Sequence, residues 1–203
     1  MAFTAKSEKT SLPLIRADVH RAVAYALYDL GTHYDKKFDK SSHQCVIIWE
    51  LPDERMTYTK DGKEINAPRA ISRKYTLSLG EKSNLRKDLQ SWRGRVFTEQ
   101  ELQGFDLKSI LGVNCMLQVI HKESDGAKFA NISAVLPLYK GIPSVVPENP
   151  IQFFAMEEGM DIPEYTPQWI KEIILESDEM KAIGTTDGQQ HDGSSVPDES
   201  VPF

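Results

Sequence analysis

The distribution of apolar positions changes character several times along the chain, and those changes set out the expected elements. Gln44–Leu51 (QCVIIWEL) is a short continuous apolar run rich in β-branched and aromatic residues, expected to be a strand that stops at Pro52. Asp61-Gly62 marks a turn. Beyond it, Ala70–Leu79 alternates, with Ile71, Arg73, Tyr75 and Leu77 on one face and Lys74, Thr76 and Ser78 on the other. Glu81–Trp92 carries Leu85, Leu89 and Trp92 at i, i+4 and i+7, with Gly94 where a helix should end. Thr98 and Glu101 have capping-box spacing for a second, shorter helix. Asn114–Lys122 and Lys128–Leu136 read as two alternating strands joined through a turn containing Gly126. Val19–Leu30 (VHRAVAYALYDL) mixes helix-favouring alanines with strand-favouring β-branched and aromatic residues.

Taking Val19–Leu30 as a strand, the order is strand, strand, strand, helix, strand, strand. That is the order of an oligonucleotide-binding (OB) fold, a mainly β architecture: a five-stranded Greek-key barrel with its helix between strands three and four. The expected organisation is a polar lead-in over 1–12, a barrel domain over 13–142, a Pro-rich acidic extension over 143–183, and a tail over 184–203. In the extension, Thr166 caps a helix at 167–180 with Pro167 in the first position. Trp169, Ile170, Ile173 and Ile174 form its apolar face. The tail holds four acids, no lysine or arginine and few aliphatics, and is expected to be disordered.

Charge sharpens this division. The net charge is −6, but residues 144–203 hold thirteen acids against two lysines, a net of −11. Residues 1–143, with 22 basic and 17 acidic side chains, carry +5. A basic body joined to an acidic end points to a polyanion partner. Cys45 and Cys115 each sit in an apolar run and are expected to be buried free thiols rather than a disulfide or metal pair. The N-terminus lacks the apolar core of a signal peptide, and no apolar run reaches the ~18 residues of a membrane span. The expected location is cytoplasmic.

The candidate chemistry is concentrated in Arg69–Arg95. Arg69, Arg73, Lys74, Lys82, Arg86, Lys87, Arg93 and Arg95 stand against Glu81 and Asp88, a net of +6, with Tyr75 and Trp92 interleaved. Cations along a groove neutralise phosphates, and aromatic faces stack on unpaired bases for roughly 1–3 kcal/mol per base. The competing reading is a solvated helix face with Trp92 in the core. Trp49 on strand two has the same two readings. Because strand residues alternate, either Arg73 with Tyr75, or Lys74 alone, faces the ligand. Lys36 and Lys37, in the loop after strand one, are candidates to clamp the backbone.

The chain ends Pro197-Asp198-Glu199-Ser200-Val201-Pro202-Phe203. This resembles the tail tip of bacterial and phage single-stranded-DNA-binding proteins, an acidic run closed by Pro-Phe. Ser78–Gly112 and Pro167–Met180 are also similar to phage-encoded proteins of that kind. The resemblance implies an OB-fold body that binds and protects single-stranded DNA without sequence preference in replication or recombination. It also implies a tail that recruits replication or repair proteins through Asp198, Glu199, Pro202 and Phe203. A terminal Phe among acids suits an apolar pocket rimmed by Arg or Lys. It implies no cofactor, no metal and no catalytic role, and leaves homo-oligomerisation open.

Two other readings compete. An acidic tail could act as a protein decoy or recruiter without touching DNA. Pro52-Asp53 followed by Asp61-Gly62-Lys63 fits the loose metal-nuclease pattern PD…(D/E)xK, which needs both acids on one divalent ion. The latter is set aside as a chance match because Asp61-Gly62-Lys63 reads as an exposed turn.

Overall fold

The first strand resolves the ambiguity of Val19–Leu30. In the computed structural model, which describes residues 13–124 and 126–186, β1 runs from Val19 to Asp35 and is buried along most of its length. Its alanines are tolerated because both of its faces are covered. Ala22, Ala24 and Leu27 face one apolar core, and Ala26, Tyr28 and Leu30 face a second. The change from even to odd positions falls at a register shift between Ala24 and Ala26, where Tyr25 is the extra residue. One inserted residue reverses which side chains point inward.

Strand β2 (Lys40–Lys60) pairs antiparallel with β1 and with β3 (Lys63–Thr76). Its continuous apolar run follows from the same two-sided burial, with Cys45, Ile47, Trp49 and Leu51 in one core and Val46 and Ile48 in the other. Pro52 does not end it, contrary to expectation. The β2–β3 ladder breaks its register between Leu51 and Arg55, so Pro52 sits where no ladder N–H is required. The hairpin closes at Asp61 and Gly62, with φ of 52° and 74°, the double-positive geometry of a tight two-residue turn.

Helix α1 (Asn84–Arg93) follows, ended by Gly94 at φ 67°. Thr98 and Glu101 form the expected capping box on α2 (Glu99–Gln103), and a 3-10 turn covers Leu107–Ile110. Strands β4 (Asn114–Ser124) and β5 (Ala127–Pro137) make an antiparallel hairpin, and β4 pairs with β1 over Val19–Val23. A strand absent from the sequence reading, β6 (Gln152–Phe154), runs parallel to β1 at Ala26–Tyr28. One edge of β1 is therefore shared between β4 and β6.

The result is a mainly β, six-stranded sheet ordered β3-β2-β1-β4-β5, with β6 added on β1. The ladder does not close between β3 and β5. Leu85, Leu89 and Trp92 of α1 fill one face of the sheet. The other face of β1 and β2 is covered by the extension, through Phe154, Met156, Ile170 and Ile174. The expected helix over 167–180 is two helices, α3 (Gln168–Leu175) and α4 (Asp178–Thr186), separated at a fully buried Ser177. Ser177 Oγ accepts from Met180 N at 3.3 Å and so caps α4. Trp169, expected on the apolar face, is 43% exposed.

The extension is anchored by a carboxylate inside the protein. Glu50 is fully buried and accepts from Glu148 N at 2.9 Å, Asn149 N at 2.9 Å and Asn149 Nδ2 at 2.6 Å. Helix α4 is fastened to β1 by Glu179, which accepts from Thr32 N at 2.8 Å and from Thr32 Oγ1 at 2.7 Å.

Candidate nucleic-acid interface

The aromatic residues that are candidates for either stacking or packing are core residues. Trp49 is fully buried and lies 5.9 Å, ring to ring, from Trp92. Trp92 is itself buried, and its Nε1 donates to Asn114 O at 3.0 Å. Tyr75 is buried and donates its hydroxyl to Asp88 at 2.7 Å. Burial and the neighbouring Asp88 carboxylate raise the Tyr75 phenol far above its ordinary range. None of the three offers a face to a base.

Several of the expected cations are engaged as well. The β2–β3 register puts Arg73 on the face of Ile47 and Tyr75, where its guanidinium meets Asp88 at 2.8 Å. Burial raises the Asp88 carboxyl, against the lowering effects of the Tyr75 hydrogen bond and Arg73. Arg93 and Arg95 share Glu101, which also accepts from Thr98 N at 3.0 Å. Those bonds, led by the one from Arg95, hold Glu101 at about 2. Arg86 spans Gln90 Oε1 and Leu79 O, both at 3.1 Å. Arg69 is half-buried on the same face as Leu51. The stretch 69–95 is therefore not one cationic groove.

What remains is a smaller set of exposed lysines. Of the two alternatives on β3, Lys74 alone faces outward on the open side, in a row with Ala70, Ser72 and Thr76, all exposed. Lys74 and Lys82 line an open cleft of about 650 Å³ with Thr76, Ser78, Ser83 and Asn84. Neither lysine, nor the exposed Lys87 on α1, has an ion pair among the described residues. Leu77 N donates to His43 O, which places this cleft at the end of the sheet that carries the β1–β2 turn.

That turn holds Lys36 and Lys37, both exposed as expected, together with aromatics that the sequence reading passed over. Phe38 is 70% exposed with Lys37 Nζ 5.5 Å above its ring, and Tyr34 is 53% exposed with its hydroxyl bonded to Asp39. At the opposite end of the sheet, two arms project past the start of β1. On the β2–β3 arm, Tyr58, Lys60, Lys63 and Ile65 share a face, and Tyr58 is 40% exposed. On the β4–β5 arm, Phe129 is half exposed directly across from Lys122. Ion pairs hold the base of the first arm: Arg16 with Glu54 and Arg21 with Asp53 at 2.8 Å, and Arg55 with Glu148 at 2.6 Å. The signal for these aromatics was their position beside turn residues, outside any apolar periodicity.

The metal-nuclease pattern does not assemble. Asp53 pairs with Arg21 at the base of the arm and Asp61 sits at its tip, separated by roughly 25 Å of extended strand. Among the described residues no group of three or more His, Cys, Asp or Glu could hold a metal ion. Cys45 and Cys115 are buried free thiols, and burial pushes Cys45 up to about 12. No described helix is long and apolar enough to cross a membrane. Asp198, Glu199, Pro202 and Phe203 lie outside the described residues. Comparison with known proteins returns no matching family model, curated protein or solved structure.

Proposed function

We propose that this protein binds single-stranded DNA without sequence preference, on an OB-like barrel whose contacts lie at the turns rather than on the sheet. The observation that carries the reading is a recurring pair. Each of the β1–β2 turn, the β2–β3 arm and the β4–β5 arm presents an exposed aromatic next to lysines that have no ion pair among the described residues. Stacking on sequence-tolerant π faces combined with phosphate neutralisation is how unpaired strands are held. The exposed row Thr76, Lys74, Ser72 and Ala70 leaves a strand an open lane along one face of β3, starting at the cleft that holds Lys82, while Tyr58 and Lys63 stand on the other face of the β2–β3 hairpin. The small side chains there leave room for a backbone. The barrel reading draws on strand order: β1 pairs with both β2 and β4, β3 and β5 end the ladder, and α1 lies between β3 and β4 in sequence. In this proposal Asp198, Glu199, Pro202 and Phe203 serve replication or repair partners.

Anisotropy titration with labelled oligo(dT) and with a duplex of equal length tests the reading. Binding should favour the single strand, with log affinity falling against log salt by about 0.7 per phosphate contacted. Phe38→Ala with Phe129→Ala should weaken it on the order of 30-fold at unchanged salt slope, since each stacked base is worth about 1–3 kcal/mol. Lys74→Glu with Lys82→Glu should reduce the slope itself. A preference for duplex, or indifference to the aromatic replacements, would sink the proposal. Absence of DNA binding with capture of a replication protein through Phe203 would favour the decoy reading.

A further inference from the structure

The C-terminal extension leaves apolar and acidic side chains side by side in solvent. On α3, Trp169 and Leu175 are about half exposed among the exposed Glu172 and Glu176, and Tyr165 precedes them, also exposed. Ile170 and Ile174 on the opposite side of the same helix are completely buried, so the helix is already docked and Trp169 is surplus to that docking. A large exposed indole between carboxylates has the composition of an interface anchor rather than of a solvated face.

A pocket of complementary chemistry lies between α1 and the 3-10 turn. It measures about 330 Å³ and is floored by Leu89, Trp92, Phe105 and Ile110, with Arg93 and Arg95 among its walls. The two guanidiniums share the single carboxylate of Glu101, so this wall keeps one positive charge in excess. Arg93 Nη1 is buried with no hydrogen-bond acceptor among the described residues, while its guanidinium carbon lies 4.5 Å from the Phe97 ring centre and 4.9 Å from that of Phe105. An apolar recess walled by under-neutralised guanidinium suits a segment that offers an indole beside carboxylates.

The strip and the pocket cannot meet within one molecule. Helix α3 packs on one face of the β1–β2 ladder and α1 on the other, so the two surfaces point away from each other. We propose that they meet between copies of this chain: Trp169 of one copy enters the Leu89–Trp92–Phe105–Ile110 pocket of the next, with Glu172 and Glu176 facing Arg93 and Arg95. The occupant is a second copy because the acidic extension and the basic body are complementary parts of one sequence, −7 over residues 144–183 against +5 over residues 1–143. A contact between two different patches that point away from each other does not close after two copies, so it runs on to rings or open-ended rows of three or more.

Sedimentation velocity on the full chain at low salt tests this. Mass should rise continuously with concentration and fall back toward the monomer as salt is added. Trp169→Ala should weaken association about 30-fold, the size of a truncated hot-spot aromatic. Val113→Lys, at the exposed mouth of the pocket, should do the same. Each variant alone should be monomeric. An equimolar mixture should form only dimers, because one supplies an intact pocket and the other an intact strip. Both changes are at exposed positions, and unchanged melting curves would verify the fold. The idea is overturned if the parent chain stays monomeric at its highest soluble concentration, or if Trp169→Ala leaves the strength of association unchanged. It is equally overturned if removing 187–203 abolishes association, which would make the tail the occupant. A chain that self-associates yet ignores oligo(dT) would refute the DNA reading and leave this contact standing.

Discussion

Glu50 shows how much a single buried carboxylate decides. Its two oxygens accept three N–H donors of residues 148 and 149, and an aliphatic side chain there would leave those donors unmet. Glu50→Ala should cost about 1–3 kcal/mol, read as a lower urea midpoint, because the part-buried donors of residues 148 and 149 lose their acceptor. Glu101 governs a different response. Held at about 2 against an ordinary 4.5, it favours its ionised form in the folded state. Its stabilising contribution is therefore complete above about 4.5 and is lost as the pH falls toward 2. In Glu101→Gln the melting temperature should change less steeply across that window than in the parent chain. At this scale the sequence was legible in type but not in role. Tyr75 and Trp92 have the composition of stacking residues, and only the facing of β3 and α1 toward one core shows that they pack. The exposure of Lys36, Lys37, Lys74 and Lys82 is legible in the sequence because a lysine at a turn or strand edge needs no long-range partner to be exposed. Arg73, Arg93 and Arg95 were misread because their acids, Asp88 and Glu101, arrive from other turns of the chain.

Among the elements, those set by local spacing were found and those set by distant pairing were not. The period of α1, the Gly94 stop and the Thr98–Glu101 capping box are written within a few residues. Strand β6 is three residues long and exists only because β1, more than 120 residues earlier, offers an unpaired edge. The continuation of β2 through Pro52 needed the register break opposite Pro68. The division of α3 from α4 did have a local sign, Ser177 followed by Asp178 and Glu179, a cap with acids in the first turn. Gly31 joins two of these elements. At φ 77° a side-chain carbon there would lie 2.5 Å from Ser177 Cβ and 2.8 Å from Glu179 Oε2. Gly31→Ala should therefore be strained and should lift α4, costing at least ~1 kcal/mol. Hydrogen exchange should show early loss of protection at Met180 N and Thr32 N while the amides of β4 and β5 are unaffected.

For the molecule as a whole, the extension is a wall of the second core. Tyr28, Val46 and Ile48 depend on it for their cover. A chain ended at residue 143 should bind a hydrophobic dye and aggregate, since it would expose a contiguous apolar face. A construction in which the acidic segment is structurally required also explains why charge is segregated along the sequence and yet held within one fold.

The shared edge of β1 has a consequence in time. Residues 26–28 are synthesised early, but the neighbour that completes their ladder, 152–154, emerges near the end. Until then that stretch of edge has nothing to pair with, and closing so long a loop is slow. In a pulse-labelled refolding experiment the amides of β6 and α3 should gain protection after those of the β1–β2 and β4–β5 ladders. A nascent chain stalled before residue 150 should remain a client of chaperones, released only when residues 152–174 have arrived.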